Sequence, residues 1–258
     1  MIDTHSHIYA EEFDQDRDAA LERARQAGVE MLLLPDIDSE SRARMVALAS
    51  EHGDYCRAMA GFHPTSVNDN PAWREEIDMV ERMLQAPPVP LCGVGEIGLD
   101  LYWSGDFYKQ QREALHAQLE LALQYDLPVV IHTRSAYKEM EDAIATYRGR
   151  ALRGVFHAYA ADVDSARRLS RMGDFLFGIG GVVTFKNSGL DRVVAELPTE
   201  LLLLETDCPY LTPVPHRGKR NESAYVEYVC RKIAELHNKS FEQVDEITSS
   251  SARRIFAL

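Results

Sequence analysis

Short apolar runs recur along the chain at Ile2–Thr4, Met31–Leu34, Arg57–Gly61, Leu91–Val94, Val129–Ile131, Arg153–Phe156, Phe175–Phe177 and Leu201–Leu204. Each is long enough for a strand and too short for a buried helix. Longer stretches with helical spacing lie between them. Asp14–Ala27 stops at Gly28, a residue suited to end a helix. Asp106–Gln124 brings Tyr108, Leu115, Leu119 and Ala122 near one face, with Asp106 expected as its cap. Ala136–Tyr147, Asp162–Met172 and Ser223–Leu236 also fit helices, and Phe241–Phe256 adds one or two more.

Strand and helix alternating about eight times predicts a parallel sheet with crossover helices. Eight such units in 258 residues match the size of a closed barrel. The expected fold class is α/β, a (β/α)8 TIM barrel, as one domain over residues 1–258. An open, doubly wound sheet is the alternative, but no Gly-x-Gly-x-x-Gly follows the first strand.

Charge narrows the partners. Lys and Arg number 28 against 41 Asp and Glu, a formal net charge of −13. A surface this acidic does not suit a protein that coats long nucleic acid, although it permits a small cationic mouth. No apolar run approaches the ~20 residues of a membrane helix. A strand starting at Ile2 leaves no room for a leader, so a cytoplasmic location is expected. Cys56, Cys92, Cys208 and Cys230 are scattered and read as reduced thiols.

In a barrel, chemistry gathers at the C-terminal ends of the strands. His5 and His7 follow the first run, His63 the third, Glu96 and Asp100 the fourth. His132 and Arg134 follow the fifth, His157 the sixth, and Glu205 and Asp207 the eighth. Of nine histidines, only His52, His116 and His237 fall on or beside helical stretches; His216 lies on the loop after the eighth run. In an extended strand, residues i and i+2 share a side, so His5 and His7 are expected to face the axis together. His132 and His157 form a second pair on neighbouring strands. Glu96 stands between the pairs as a bridge, and Asp207 completes the first site. Imidazole with carboxylate suits Zn, Mn, Fe or, less readily, Mg, and two adjacent ions activate a water and stabilise a leaving oxygen.

A lone histidine after a strand is more often a satisfied polar group than a ligand. Six ligand candidates on one face argue otherwise. His63 divides evenly between touching substrate and shaping the turn at Pro64. Cys208 reads as structural, and Tyr102 and Trp103 as packing. From Cys208 to Asn221 no acidic residue occurs, while Arg217, Lys219 and Arg220 cluster. That loop is expected to form a cationic lip able to hold a few phosphates.

MIDTHSH, GFHP, GEIGLD, LPVVIHTR, FHAY and ETDCPYLTPVPHRGKRNE together resemble the TatD family of metal-dependent deoxyribonucleases, from the first residues to SSSARRIF. The resemblance implies a barrel of the amidohydrolase-like group with two divalent ions, as Mg, Mn or Zn. His5, His7, Glu96 and Asp207 would hold one, and Glu96, His132 and His157 the other. It implies hydrolysis of DNA phosphodiesters, as a 3′-5′ exonuclease on short or single-stranded ends. Glu96 and Asp207 would serve catalysis, with His63, Arg217, Lys219 and Arg220 on the substrate. No membrane or obligate protein partner is implied. The chain departs from the usual family pattern at Ser135, Ala158–Ala161, Ser223 and Ser251, none of them a proposed ligand. The rival readings are an amidohydrolase-type enzyme acting on an amide, lactone or phosphotriester, and a non-catalytic metal-binding protein. No Lys occurs between Leu91 and Leu101 to serve as the modified-lysine bridge common among two-metal amidohydrolases, which favours the nuclease.

Overall fold

All eight apolar runs become strands. The computed structural model describes residues 1–258, with β1 (Ile2–Asp3), β2 (Met31–Leu34), β3 (Cys56–Ala60), β4 (Leu91–Asp100), β5 (Val129–Arg134), β6 (Arg153–Phe156), β7 (Asp174–Ile179) and β8 (Leu202–Leu204). They lie side by side in chain order, each pair parallel. The ring closes from β8 back to β1. The Thr4 N–H donates to the Leu204 carbonyl at 3.0 Å, Asp207 N–H to the His5 carbonyl at 2.9 Å, and His7 N–H to the Cys208 carbonyl at 2.9 Å. The architecture is a TIM barrel.

Its helices are α1 (Arg17–Gln26), α2 (Ser39–Glu51), α3 (Pro64–Val67), α4 (Trp73–Gln85), α5 (Tyr108–Gln124), α6 (Tyr137–Ala145), α7 (Val163–Leu169), α8 (Leu190–Glu196), α9 (Val226–His237) and α10 (Phe241–Phe256). Gly28 follows α1 at φ +83°, the left-handed turn a helix end uses. Asp106 does not cap α5; the helix begins at Tyr108 without a side-chain cap. The Ser223–Leu236 stretch divides into a 3-10 turn over Ser223–Tyr225 and then α9. The tail is a single helix, begun by a reciprocal capping box between Ser240 and Gln243.

Each strand sends one residue into a buried inner layer: Ile2, Leu33, Met59, Cys92, Val130, Val155, Leu176 and Leu203. From α10, Ala252, Ile255 and Phe256 pack against that layer. Arg253 pairs with Glu30, just before β2, and Arg254 with Asp174 at the start of β7. These contacts hold α10 beneath the N-terminal end of the barrel. The strand-end polar residues collect at the opposite, C-terminal end.

Candidate metal centre

β1 ends at Asp3, short of the Thr4 expected for the first strand. Ile2 points into the barrel, so strict alternation would send Thr4 and Ser6 inward. The chain bends over Thr4–His5 instead. The bend shifts the phase by one residue: Ser6 Oγ meets Ser223 Oγ at 2.9 Å on the outer side, while His5 and His7 turn to the axis together. They share a side, as spacing predicts, but because of the bend.

β4 runs on to Asp100, so Glu96 belongs to a strand and not to a loop. Pairing with β5 slips between Gly95 and Ile97, which leaves Glu96 as an extra residue in the ladder. Such a bulge re-aims a side chain. Its backbone is held from the loop after β2: Glu96 N–H donates to the Asp36 carbonyl at 2.9 Å, and Asp36 N–H to the Gly95 carbonyl at 2.8 Å. Gly61 lets the bulge pass, since a Cβ there would sit 2.5 Å from the Gly95 carbonyl carbon.

Glu96 is buried at the centre of the cluster. Its Oε2 lies 3.0 Å from His5 Nε2 and 3.6 Å from His7 Nε2. Asp207 Oδ1 lies 3.7 Å and 3.4 Å from the same nitrogens, which are 3.2 Å apart. An ion held tetrahedrally at ~2.0–2.2 Å by such donors needs donor–donor edges of roughly 3.3–3.6 Å. The residues therefore fit a divalent cation. The other carboxylate oxygen, Oε1, lies 2.8 Å from His157 Nε2, 3.0 Å from His132 Nδ1 and 3.1 Å from His63 Nε2. His132 Nδ1 and His157 Nε2 are 3.3 Å apart, so a second donor group of matching size surrounds Oε1.

Hydrogen bonds on the far side of each ring sort the histidines. Tyr9 donates its hydroxyl proton to the Pro35 carbonyl at 2.6 Å, so it accepts from His7 Nδ1–H at 3.0 Å. His7 Nε2 is left with a lone pair toward Asp207. His132 Nε2–H donates to Asp100 Oδ2 at 3.0 Å, which frees Nδ1 as a ligand. His63 instead turns its protonated nitrogen toward the cluster. Its Nδ1 accepts from the Thr65 backbone N–H at 3.2 Å, so in the neutral ring the proton sits on Nε2 and faces the cluster. His63 is thus a hydrogen-bond donor into the mouth. A Tyr9→Phe variant is expected to bind metal about 10–100-fold more weakly, read by competition with a chelating dye, while the fold is kept.

Charge explains the protonation states. Burial would raise Glu96, yet the facing charges of His157, His63 and His5 hold its carboxyl well below the usual range. Asp207 is lowered too: burial opposes this, and the neighbouring His7, His157 and His5 prevail. Burial and the charge on His157 lower His5 to about 4, and burial lowers His63. His157 resists its own burial because Glu96 faces it, and rises to about 10. Beneath it lies Glu205, fully buried and pushed by burial up to about 8. Its Oε1 accepts from Ala158 N–H at 2.6 Å and lies 3.8 Å from His157 Nδ1. Gly178 makes room for it: a Cβ there would be 2.0 Å from Glu205 Oε2. Asp207 adopts φ +56°, and Asp3 fixes the turn before it by accepting from Thr206 N–H at 2.9 Å and Thr206 Oγ1–H at 2.7 Å.

The cationic loop is less free than its sequence suggests. Arg220 is bound to Asp16 by two hydrogen bonds of 2.7 and 2.8 Å, donates to the Glu12 carbonyl, and lies 4.1 Å over the Phe13 ring. Its donors are occupied away from the centre. Arg220→Ala is accordingly expected to lower stability by about 1 kcal/mol, seen as a shift of the urea midpoint, and to leave KM unchanged. Arg217 and Lys219 are exposed and form no ion pair, Arg217 resting 3.7 Å over Phe185. His216 stacks on Tyr225 at 4.2 Å, outside the cluster. Cys208 is buried against Ser6, its thiol pushed by burial up to about 12. Tyr102 and Trp103, read from sequence as packing, are instead 56% and 68% exposed. Tyr9, Thr65 and the positioning roles of Asp100 and Glu205 were not legible as such. Asp100 and Glu205 stand at strand ends and carried that signal; Tyr9 carried only its i+2 spacing from His7.

A family model described as TatD related DNase matches residues 2–257. The chain is 35% identical to the uncharacterized metal-dependent hydrolase YabD of Bacillus subtilis, covering 100% of this chain and 99% of that protein. It is 31% identical to the 3′-5′ ssDNA/RNA exonuclease TatD of Pectobacterium parmentieri, covering all of both. The crystal structure of the TatD homologue YjjV from Escherichia coli superposes with a TM-score of 0.91 at 30% identity, covering 100% of this chain and 98% of that one.

Proposed function

The chain belongs to the TatD-related DNase family, and from that membership and the geometry of the cluster we propose that it is a divalent-metal-dependent phosphodiesterase that trims unpaired DNA from its 3′ end. The carrying observation is Glu96, which presents one oxygen to His5 and His7 and the other to His132 and His157. His5, His7, Glu96 and Asp207 would hold one ion, and Glu96, His132 and His157 a second. Divalent ions there supply Lewis acidity, polarising a phosphoryl oxygen and lowering the pKa of water.

The chain's own groups do the rest. Asp207, held ionised, orients the attacking water and takes up its proton as the bond to phosphorus forms and the bond from phosphorus to the 3′ oxygen of the preceding nucleotide breaks, that oxygen leaving as a hydroxyl protonated from solvent. His63 donates from Nε2 to a phosphoryl oxygen. Arg217 and Lys219 hold flanking phosphates. The polarity is supported by relatives named 3′-5′ ssDNA/RNA exonuclease in Pectobacterium.

The test strips the metals with a chelator and reloads Mg, Mn or Zn in turn. Each form digests 3′- and 5′-labelled single-stranded DNA beside lactone and phosphotriester controls. The 3′ label is expected to leave first as mononucleotide, while the 5′ label moves down a ladder. Turnover of the controls alone would sink the nuclease reading.

A further inference from the structure

The large apolar side chains most exposed to solvent are Tyr102 at 56%, Trp103 at 68%, Tyr210 at 55%, Leu211 at 40% and Val214 at 47%. They lie on two loops, one after β4 and one after β8. In a closed ring of eight strands in chain order, β4 and β8 stand opposite each other. The apolar surface therefore forms two walls facing across the mouth of the barrel.

Both walls are joined to the cluster. Tyr102 N–H donates to Asp100 Oδ1 at 3.0 Å, and the other Asp100 oxygen holds His132. Tyr210 N–H donates to the Asp207 carbonyl at 2.9 Å, and its ring centroid is 6.4 Å from that of His7. The β4 wall is pre-ordered. Tyr102 and Trp103 meet edge to face at 5.0 Å, and the Arg134 guanidinium covers Tyr102 at 3.7 Å. Arg134 is exposed and forms no ion pair, and the same holds for Lys186, Arg217 and Lys219 on the neighbouring loops.

Flat aromatic faces alternating with free cations, around a centre suited to phosphate, match one repeating chemistry: an anionic backbone carrying planar bases. We propose that Trp103 and Tyr210 are stacking platforms for unpaired nucleobases on either side of the phosphate being cleaved, with Arg134 on the adjoining phosphate. The inference rests on the nuclease reading and adds what selects the strand. In a duplex the base faces are covered by their neighbours, so only unpaired nucleotides reach these rings. A continuous apolar patch would suit a protein or lipid surface; here the patch is split by the mouth.

Trp103 offers a direct readout. The chain has two tryptophans, and Trp73 is buried at 6% exposure. Phosphorothioate oligothymidylate, resistant to cleavage, is titrated into the metal-loaded protein beside the matched duplex and an abasic oligomer. Quenching of exposed tryptophan emission by the single strand alone is expected. Trp103→Ala and Tyr210→Ala should each raise KM for single-stranded DNA about tenfold, with a smaller change in kcat, and Trp103→Phe should restore most of it. An abasic nucleotide beside the scissile bond should weaken the wild type by the same factor and Trp103→Ala no further. A KM within twofold of wild type in both alanine variants, with DNA cleavage intact, overturns the platforms and leaves the nuclease standing. Should the wild type cleave no oligomer, the nuclease reading falls, and quenching or its absence still decides the platforms.

Discussion

Replacing Glu96 with glutamine is expected to reduce hydrolysis by about three orders of magnitude or more, roughly 4 kcal/mol of transition-state stabilisation, and to lower the metal content of the purified protein. The amide keeps the shape of the side chain, so the bulge that carries it should survive. What changes is charge. Both carboxylate oxygens sit within about 3 Å of imidazole nitrogens, and a neutral amide presents one weak acceptor oxygen and one NH2 group with two N–H donors in their place. The N–H would point at a lone pair on one side or the other and displace a cation from it. Elemental analysis of the variant, beside its rate on labelled DNA, reads both effects. Full activity with full metal content would remove Glu96 from the bridging position. Loss of one ion with the other kept would assign the two donor groups separately.

The barrel was legible because its signal is repeated: eight apolar runs, each followed by polar residues, leave few other topologies open. The ligand candidates were legible for the same reason, since strand ends of a barrel converge. What was not legible is local phase. Alternation from Ile2 puts His5 on the wrong side, and only the bend at Thr4 corrects it. In β4 the extra residue at Glu96 has no mark in sequence beyond its glycine neighbours. The lip was legible only in part. PHRGKR reads as three free cations, but Arg220 meets Asp16, which lies far away in sequence, and no local pattern announces that partner. The exposure of Trp103 is a tertiary fact of the same kind, because an aromatic residue after a strand is as easily packed as free.

Chelation is expected to lower the melting midpoint by about 5–10 °C, and by more as pH rises. The first part follows from mass action. An ion present at 100 times its dissociation constant stabilises the folded state by about 2.7 kcal/mol, and a chain of this length shifts by about 2–4 °C per kcal/mol. The second part follows from what replaces the ion. His157 is raised to about 10 because the cluster around Glu96 holds a positive charge there. A histidine whose folded value exceeds its unfolded 6.5 contributes stability that is complete below pH 6.5 and lost as pH rises toward 10. Glu205, raised by burial from 4.5 to about 8, works in the same direction between those values, since the folded state keeps a proton the unfolded chain has released. Between pH 6.5 and 8 both losses overlap, so the urea midpoint of the chelated protein should fall across that window. With His157 as a ligand, as proposed, metal binding would displace its proton, so the metal-loaded protein should keep its midpoint nearly level there apart from the Glu205 contribution, and proton release on reloading should be measurable by calorimetry in buffers of different ionisation enthalpy. Equal slopes with and without metal would show that His157 is not a ligand.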